Sequence, residues 1–127
     1  MLHHISLPVS DFSKSKKLYD AALSALGFRC VCSSSDFSGY GIEENKDKFS
    51  IKQIEPAESA GPGFHVAFSA PSRVAVDCFH KIALEYGARN NGAPGLRKHY
   101  GPCYYAAFIV DLDGHRIEAV INEPTSS

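Results

Sequence analysis

The chain has 127 residues, 44% hydrophobic and 21% charged, which suits one globular domain with material for a core. Thirteen Lys and Arg against 14 Asp and Glu leave a net charge of −1, so no basic surplus exists to track a nucleic-acid backbone or an anionic membrane. Apolar runs fall far short of the roughly 18–20 residues that cross a bilayer, and the opening MLHHISLPVSD has neither region of a signal peptide, so a soluble, cytoplasmic single domain is expected.

Residues 4–28, HISLPVSDFSKSKKLYDAALSALGF, combine a His, an alternating strand, a turn and an amphipathic helix. Leu18, Tyr19, Ala22, Leu23 and Leu26 make one apolar helical stripe. Ser10 and Asp11 are candidate N-caps, and Gly27 closes the helix. Strands are predicted at about 28–33, 38–43 and 48–54. Residues 55–63, EPAESAGPG, read as a linker.

The pattern then recurs. Residues 65–88, HVAFSAPSRVAVDCFHKIALEYGA, repeat His, strand, turn and helix 60–61 residues later. Val76, Phe79, Ala83 and Tyr86 form the second stripe, between Ser72 as N-cap and Gly87 as stop. Strands follow at about 88–91, 103–111 and 115–121, the last two joined by a hairpin at Asp113-Gly114. Residues 92–102 read as a long, functional loop. The expected fold is α+β, two tandem β-α-β-β-β modules (residues 1–54 and 64–122) in one domain, with helices on one face of mixed sheet.

Cys30, Cys32, Cys78 and Cys103 are scattered, and no C-x-x-C block marks a zinc or redox site. Four free thiols are expected.

Alternation sorts the faces. Ile5, Leu7 and Val9 should face the first helix, leaving His4, Ser6 and Pro8 opposite. Phe64, Val66 and Phe68 should face the second helix, leaving His65, Ala67 and Ser69 opposite. In the last strand Ile117, Ala119 and Ile121 are core residues, leaving Arg116, Glu118 and Val120. His4, His65 and Glu118 thus land on one face. Two imidazoles and a carboxylate suit a divalent Fe, Mn, Zn, Co or Ni ion with open positions for substrate.

HISLPVSDFSKSKKLYDAALSALGF resembles the first module of the vicinal oxygen chelate superfamily of glyoxalase, bleomycin resistance and extradiol dioxygenase proteins. FHVAFSAP with AAFIVDLDGHRIEAV resembles its second module. The resemblance covers nearly the whole chain. It implies paired modules in a U-shaped sheet, a homodimer, and a metal chelating adjacent substrate oxygens. Carried over, the ligands fall on His4, His65 and Glu118.

Glyoxalase I-type isomerases take a fourth ligand from the last strand of the first module. Aligning DKFSIKQI (47–54) with DGHRIEAV (113–120) sets Lys52 against Glu118. A protonated Lys has no lone pair to donate, so that isomerase chemistry is not expected, although a one-residue slip would bring in Gln53. Three ligands resemble extradiol dioxygenases or fosfomycin-resistance thiol transferases instead. Lys52 is then a candidate for an anionic substrate group. Arg97, Tyr100 and Tyr104 are further substrate-binding candidates. His99 and Tyr105 are candidates for proton shuttling or oxyanion binding. His115 reads as a turn residue and His80 as structural. The alternative is a metal-free binding protein of the bleomycin-resistance kind.

Overall fold

A computed structural model describes residues 1–124. Its order is β1 (Ile5–Val9), α1 (Phe12–Ser24), β2 (Arg29–Ser33), β3 (Phe37–Gly41), β4 (Phe49–Gln53), β5 (Val66–Ser69), α2 (Arg73–Glu85), β6 (Arg89–Leu96), β7 (Tyr104–Val110) and β8 (Arg116–Asn122). Two four-stranded mixed sheets result, ordered β1-β4-β3-β2 and β5-β8-β7-β6. In each, the first and last strands of the half are parallel and the other pairs antiparallel. This is the α+β architecture the repeat predicts.

Both helices start on a side-chain cap. Asp11 accepts from the Lys14 N–H at 3.2 Å and Ser72 from the Ala75 N–H at 3.1 Å, each satisfying one of the orphan donors of a first turn. Ser10, the other candidate cap, is used elsewhere. Gly27 and Gly87 follow the helices at φ +90° and +101°, a conformation that penalises any side chain. The stripes of α1 and α2 pack on one another and on both sheets, so one continuous core serves the two halves. Tyr86 is not part of that stripe; it caps α2 and is 47% exposed. Phe64 likewise precedes β5 and is exposed. β6 extends into the expected loop, because glycines 92 and 95 bulge the strand and Pro94 is tolerated on a sheet edge. The loop proper starts at Arg97.

The two halves are clasped at one end. Asp111, 4% exposed, accepts the Tyr19 hydroxyl at 2.5 Å on one oxygen. Its other oxygen accepts the N–H groups of Asp113 and His115 at 3.0 and 2.8 Å. His115 Nε2 lies 2.7 Å from the Pro8 carbonyl, and the Ser10 hydroxyl donates to Asp113 at 2.6 Å. The turn between β7 and β8 is thereby tied to the end of β1 and to α1.

Tyr19 and Tyr40 hold their phenol protons well above the ordinary value of 10, burial being the largest cause for both. Asp111 adds to the shift of Tyr19; for Tyr40, Ser38 pulls down and Asp20 pushes up. The unfolded chain loses these protons near pH 10 while the folded chain keeps them. Their contribution is therefore complete below about pH 10 and is lost as pH rises above it, by up to about 1.4 kcal/mol per pH unit for each phenol. Urea unfolding between about pH 9 and 11 should show that fall, and Tyr19→Phe should flatten it; an unchanged slope in the variant would contradict the assignment.

Candidate functional site

The site lies on the face of the second sheet away from the helices. In β8, Ile117, Ala119 and Ile121 turn inward and Glu118 faces the other way. In β7, YYAAFIV, the antiparallel register sets Phe108 opposite Glu118, Ala106 opposite Val120 and Tyr104 opposite Asn122. Tyr104, Ala106 and Phe108 therefore share the face of Glu118. The small Ala106 leaves room for the Tyr104 ring to reach back along the sheet. Its hydroxyl donates to Glu118 Oε2 at 2.5 Å. On the neighbouring β5, Ala67 lies opposite Glu118, and His65, two residues earlier, brings Nε2 to 3.0 Å from Glu118 Oε1.

Glu118 is 1% exposed, whereas the His65 side chain is 52% exposed. The carboxylate sits at the bottom of the site and the imidazole at its mouth. Burial first, and then the hydrogen bond and charge of Glu118, raise the Tyr104 phenol above its usual value. At neutral pH Tyr104 is a proton donor.

An aromatic ladder leads outward from Tyr104. Its ring centroid is 5.1 Å from that of Tyr100, and Tyr100 is 4.1 Å from His99. Tyr100 is 60% exposed. Arg97 donates to the carbonyls of Ala93 and Gly95 at 2.7 and 2.9 Å. Its guanidinium carbon lies 5.3 Å from the centre of the Phe108 ring, on the ring opposite Glu118.

Five of the expected site residues thus belong together: His65, Glu118, Tyr104, Tyr100 and His99, with Arg97 beside them. Four others do not join them. Tyr105 is on the helix-facing side, opposite Ile121, where it donates to Asp77 of α2 at 2.6 Å beneath Arg73. The alternation of β7 forces adjacent tyrosines apart, and Tyr104, not Tyr105, faces the carboxylate. His4 precedes β1, is exposed, and lies 2.9 Å from His3. Among the described residues no three His, Cys, Asp or Glu side chains gather closely enough to hold a metal ion. Gln53 caps the start of α1, accepting from the Phe12 N–H at 2.8 Å and donating to the Ser10 carbonyl at 2.6 Å.

Lys52 is exposed on β4, and its equivalence to Glu118 does not hold. Lys52 pairs with Pro8, four residues beyond His4, whereas Glu118 pairs with Ala67, two beyond His65. Counted from the two histidines, the counterpart of Glu118 is Ser50, opposite Ser6. Phe108 and Arg116, which share the face of Glu118, were not singled out by motif; the period-two pattern of β7 and β8 was the signal for both.

Residues 1–119 match the model of the Glyoxalase/Bleomycin resistance protein/Dioxygenase superfamily. Among solved structures, a glyoxalase/bleomycin resistance protein from Albidiferax ferrireducens is 30% identical at a TM-score of 0.81, covering 94% of this chain and 97% of that one. A glyoxalase/bleomycin resistance protein/dioxygenase family enzyme from Burkholderia phytofirmans is 19% identical at a TM-score of 0.71, covering 95% and 98%. A variant of the fosfomycin resistance protein FosX from Listeria monocytogenes, complexed with Mn(II) and 1S,2S-dihydroxypropylphosphonic acid, is 18% identical at a TM-score of 0.66, covering 98% and 91%. The latter two share the fold at these identities. No curated protein matches the chain.

The opposed tyrosines give a direct check. Tyr104→Phe leaves one oxygen of a buried carboxylate without its donor and should cost about 1–3 kcal/mol in urea unfolding. Tyr105→Phe removes a hydrogen bond at the surface and should cost under about 1 kcal/mol. Equal costs would refute the assignment of faces.

Proposed function

The chain belongs to the Glyoxalase/Bleomycin resistance protein/Dioxygenase superfamily, and on that premise we propose that it binds one divalent metal ion at His65 and Glu118 for chemistry on a small molecule with adjacent oxygens. The observation that carries this reading is the burial of Glu118 beneath a half-exposed imidazole. Charge removed from water is stabilised by pairing or by a metal ion, and the imidazole beside Glu118 is exposed enough for an ion to enter between the two. Imidazole with carboxylate is a donor pair that Fe, Mn, Zn, Co and Ni all accept.

One chain supplies two of the three donors. We assign the third to His4 of a second copy in a homodimer. Support comes from the exposure of Ser6, Lys52, His65, Ala67 and Ser69, which leaves the face opposite the helices uncovered in a single chain. Bound there, the ion would supply Lewis-acid stabilisation of enediolate or alkoxide charge, or oxygen activation if it is iron.

The chain's own groups have separable tasks in this reading. Tyr104 holds Glu118 in one orientation and keeps its proton at neutral pH. Tyr100 and His99 offer a ring surface to a substrate at the mouth. Arg97 and, from the first half, Lys52 supply positive charge for an anionic substrate group. The Mn(II) and dihydroxy acid in the FosX complex are an ion and a ligand of the proposed kinds. Dioxygenase-like and thiol-transfer reactions both meet these requirements.

Calorimetric titration of metal-stripped protein with Mn(II), Fe(II), Zn(II), Co(II) and Ni(II) tests the reading. One ion per chain is expected, with binding abolished in His65→Ala and Glu118→Gln. Mixing His4→Ala with Glu118→Gln chains should restore about a quarter of the sites, because only one of the two sites in a mixed dimer is intact. Failure of all five ions to bind would leave a metal-free ligand-sequestering protein, with affinity resting on Tyr100 and Tyr104.

A further inference from the structure

We propose that the seam between the two halves carries a second ligand site, for a carboxylate on an apolar body, at the end away from the Asp111 clasp. The repeat makes the two ends of the seam comparable. At one end the turn 111–115 is hydrogen-bonded to the end of β1 and to Tyr19. At the other, the turn 42–48 faces β5, and among the described residues no hydrogen bond joins them. His80, the counterpart of Tyr19 in the repeat, bonds instead to Asn90 in its own half at 2.9 Å. A cavity of about 550 Å³ is left there, within the size range of small-molecule sites.

The lining specifies the ligand. Phe28, Phe49 and Phe68 form an aromatic wall, with Phe68 centred 6.1 Å from Phe28 and 5.0 Å, edge-on, from Phe49. Ile5, Leu23 and Val66 complete an apolar interior. Charge occurs at the mouth, on Glu43, Lys46 and Lys48. Glu43 and Lys46 pair with each other at 3.1 Å. Lys48 has no ion-pair partner among the described residues. One unpaired ammonium above a phenyl-lined interior is complementary to a monoanion with an apolar tail or ring, the charge held at the rim and the body out of water.

This site is distinct from the proposed metal centre. Val66 and Phe68 turn toward the helices; Ala67, which lies opposite Glu118, also borders the cavity, but neither His65 nor Glu118 lines it. Occupancy of one is therefore separable from occupancy of the other by mutation.

Titration with decanoate, decanol and decyltrimethylammonium, followed by calorimetry and by methyl NMR, tests the proposal. Decanoate should saturate at one per chain and shift the methyl resonances of Ile5, Leu23 and Val66. Lys48→Glu, a surface change, should weaken decanoate roughly tenfold and leave decanol unchanged; Glu118→Gln and His65→Ala should leave decanoate binding intact. The proposal is overturned if decanoate does not saturate, if Lys48→Glu has no effect, if the ammonium amphiphile binds as well as the carboxylate, or if Glu118→Gln abolishes binding.

Discussion

The acceptance of the Tyr19 hydroxyl by buried Asp111 is the contact on which the arrangement of this protein turns. Each half has its own sheet and helix, and neither sheet hydrogen-bonds to the other. What fixes them is the packing of α1 on α2 and the polar clasp around Asp111. The clasp is asymmetric: a carboxylate ringed by a phenol and two N–H groups closes one end, and phenyl rings border a void at the other. Burial pushes the Asp111 carboxyl up, while the Tyr19 hydroxyl and His115 draw it back. A carboxylate at that depth is tolerable only because its lone pairs are used.

The same clasp sets the candidate site. β8 begins directly after the turn that Asp111 organises, so the register bringing Glu118 opposite Ala67 and Phe108 is fixed close to the point of attachment. Glu118 is a second buried carboxylate but a differently satisfied one. It has a phenol on one oxygen and an imidazole, half in solvent, on the other. Both are buried, but Asp111 is held by a buried phenol and backbone N–H groups, whereas Glu118 has the half-exposed His65 as a neighbour. That exposed neighbour is the difference between the two carboxylates on which the proposed metal site rests.

Much of the fold was legible because its signals are local. Asp11 and Ser72 cap helices through contacts three residues away, and alternation in β1 and β8 needs only the chirality of a strand. The errors fell where the pattern depends on neighbours. The apolar character of Phe64 and Tyr86 suggested core positions, but each lies beyond the end of its element. Gly92, Pro94 and Gly95 read as loop because no local signal says that β7 will supply a partner strand.

The sequence by itself determined the duplication, the two-layer architecture, and the placing of His65 and Glu118 on one face, since period, cap and repeat are properties of a single chain in order. Tertiary structure decided which tyrosine meets the carboxylate, because Tyr104 and Tyr105 are equivalent until β7 takes its register on β8. It also decided that Ser50, rather than Lys52, stands where Glu118 does in the other half, since cross-strand register is not written in spacing along the chain. And it separated His4 from His65 and Glu118. Alternation assigns a side chain to a face; only the docking of two sheets fixes how far apart two faces lie.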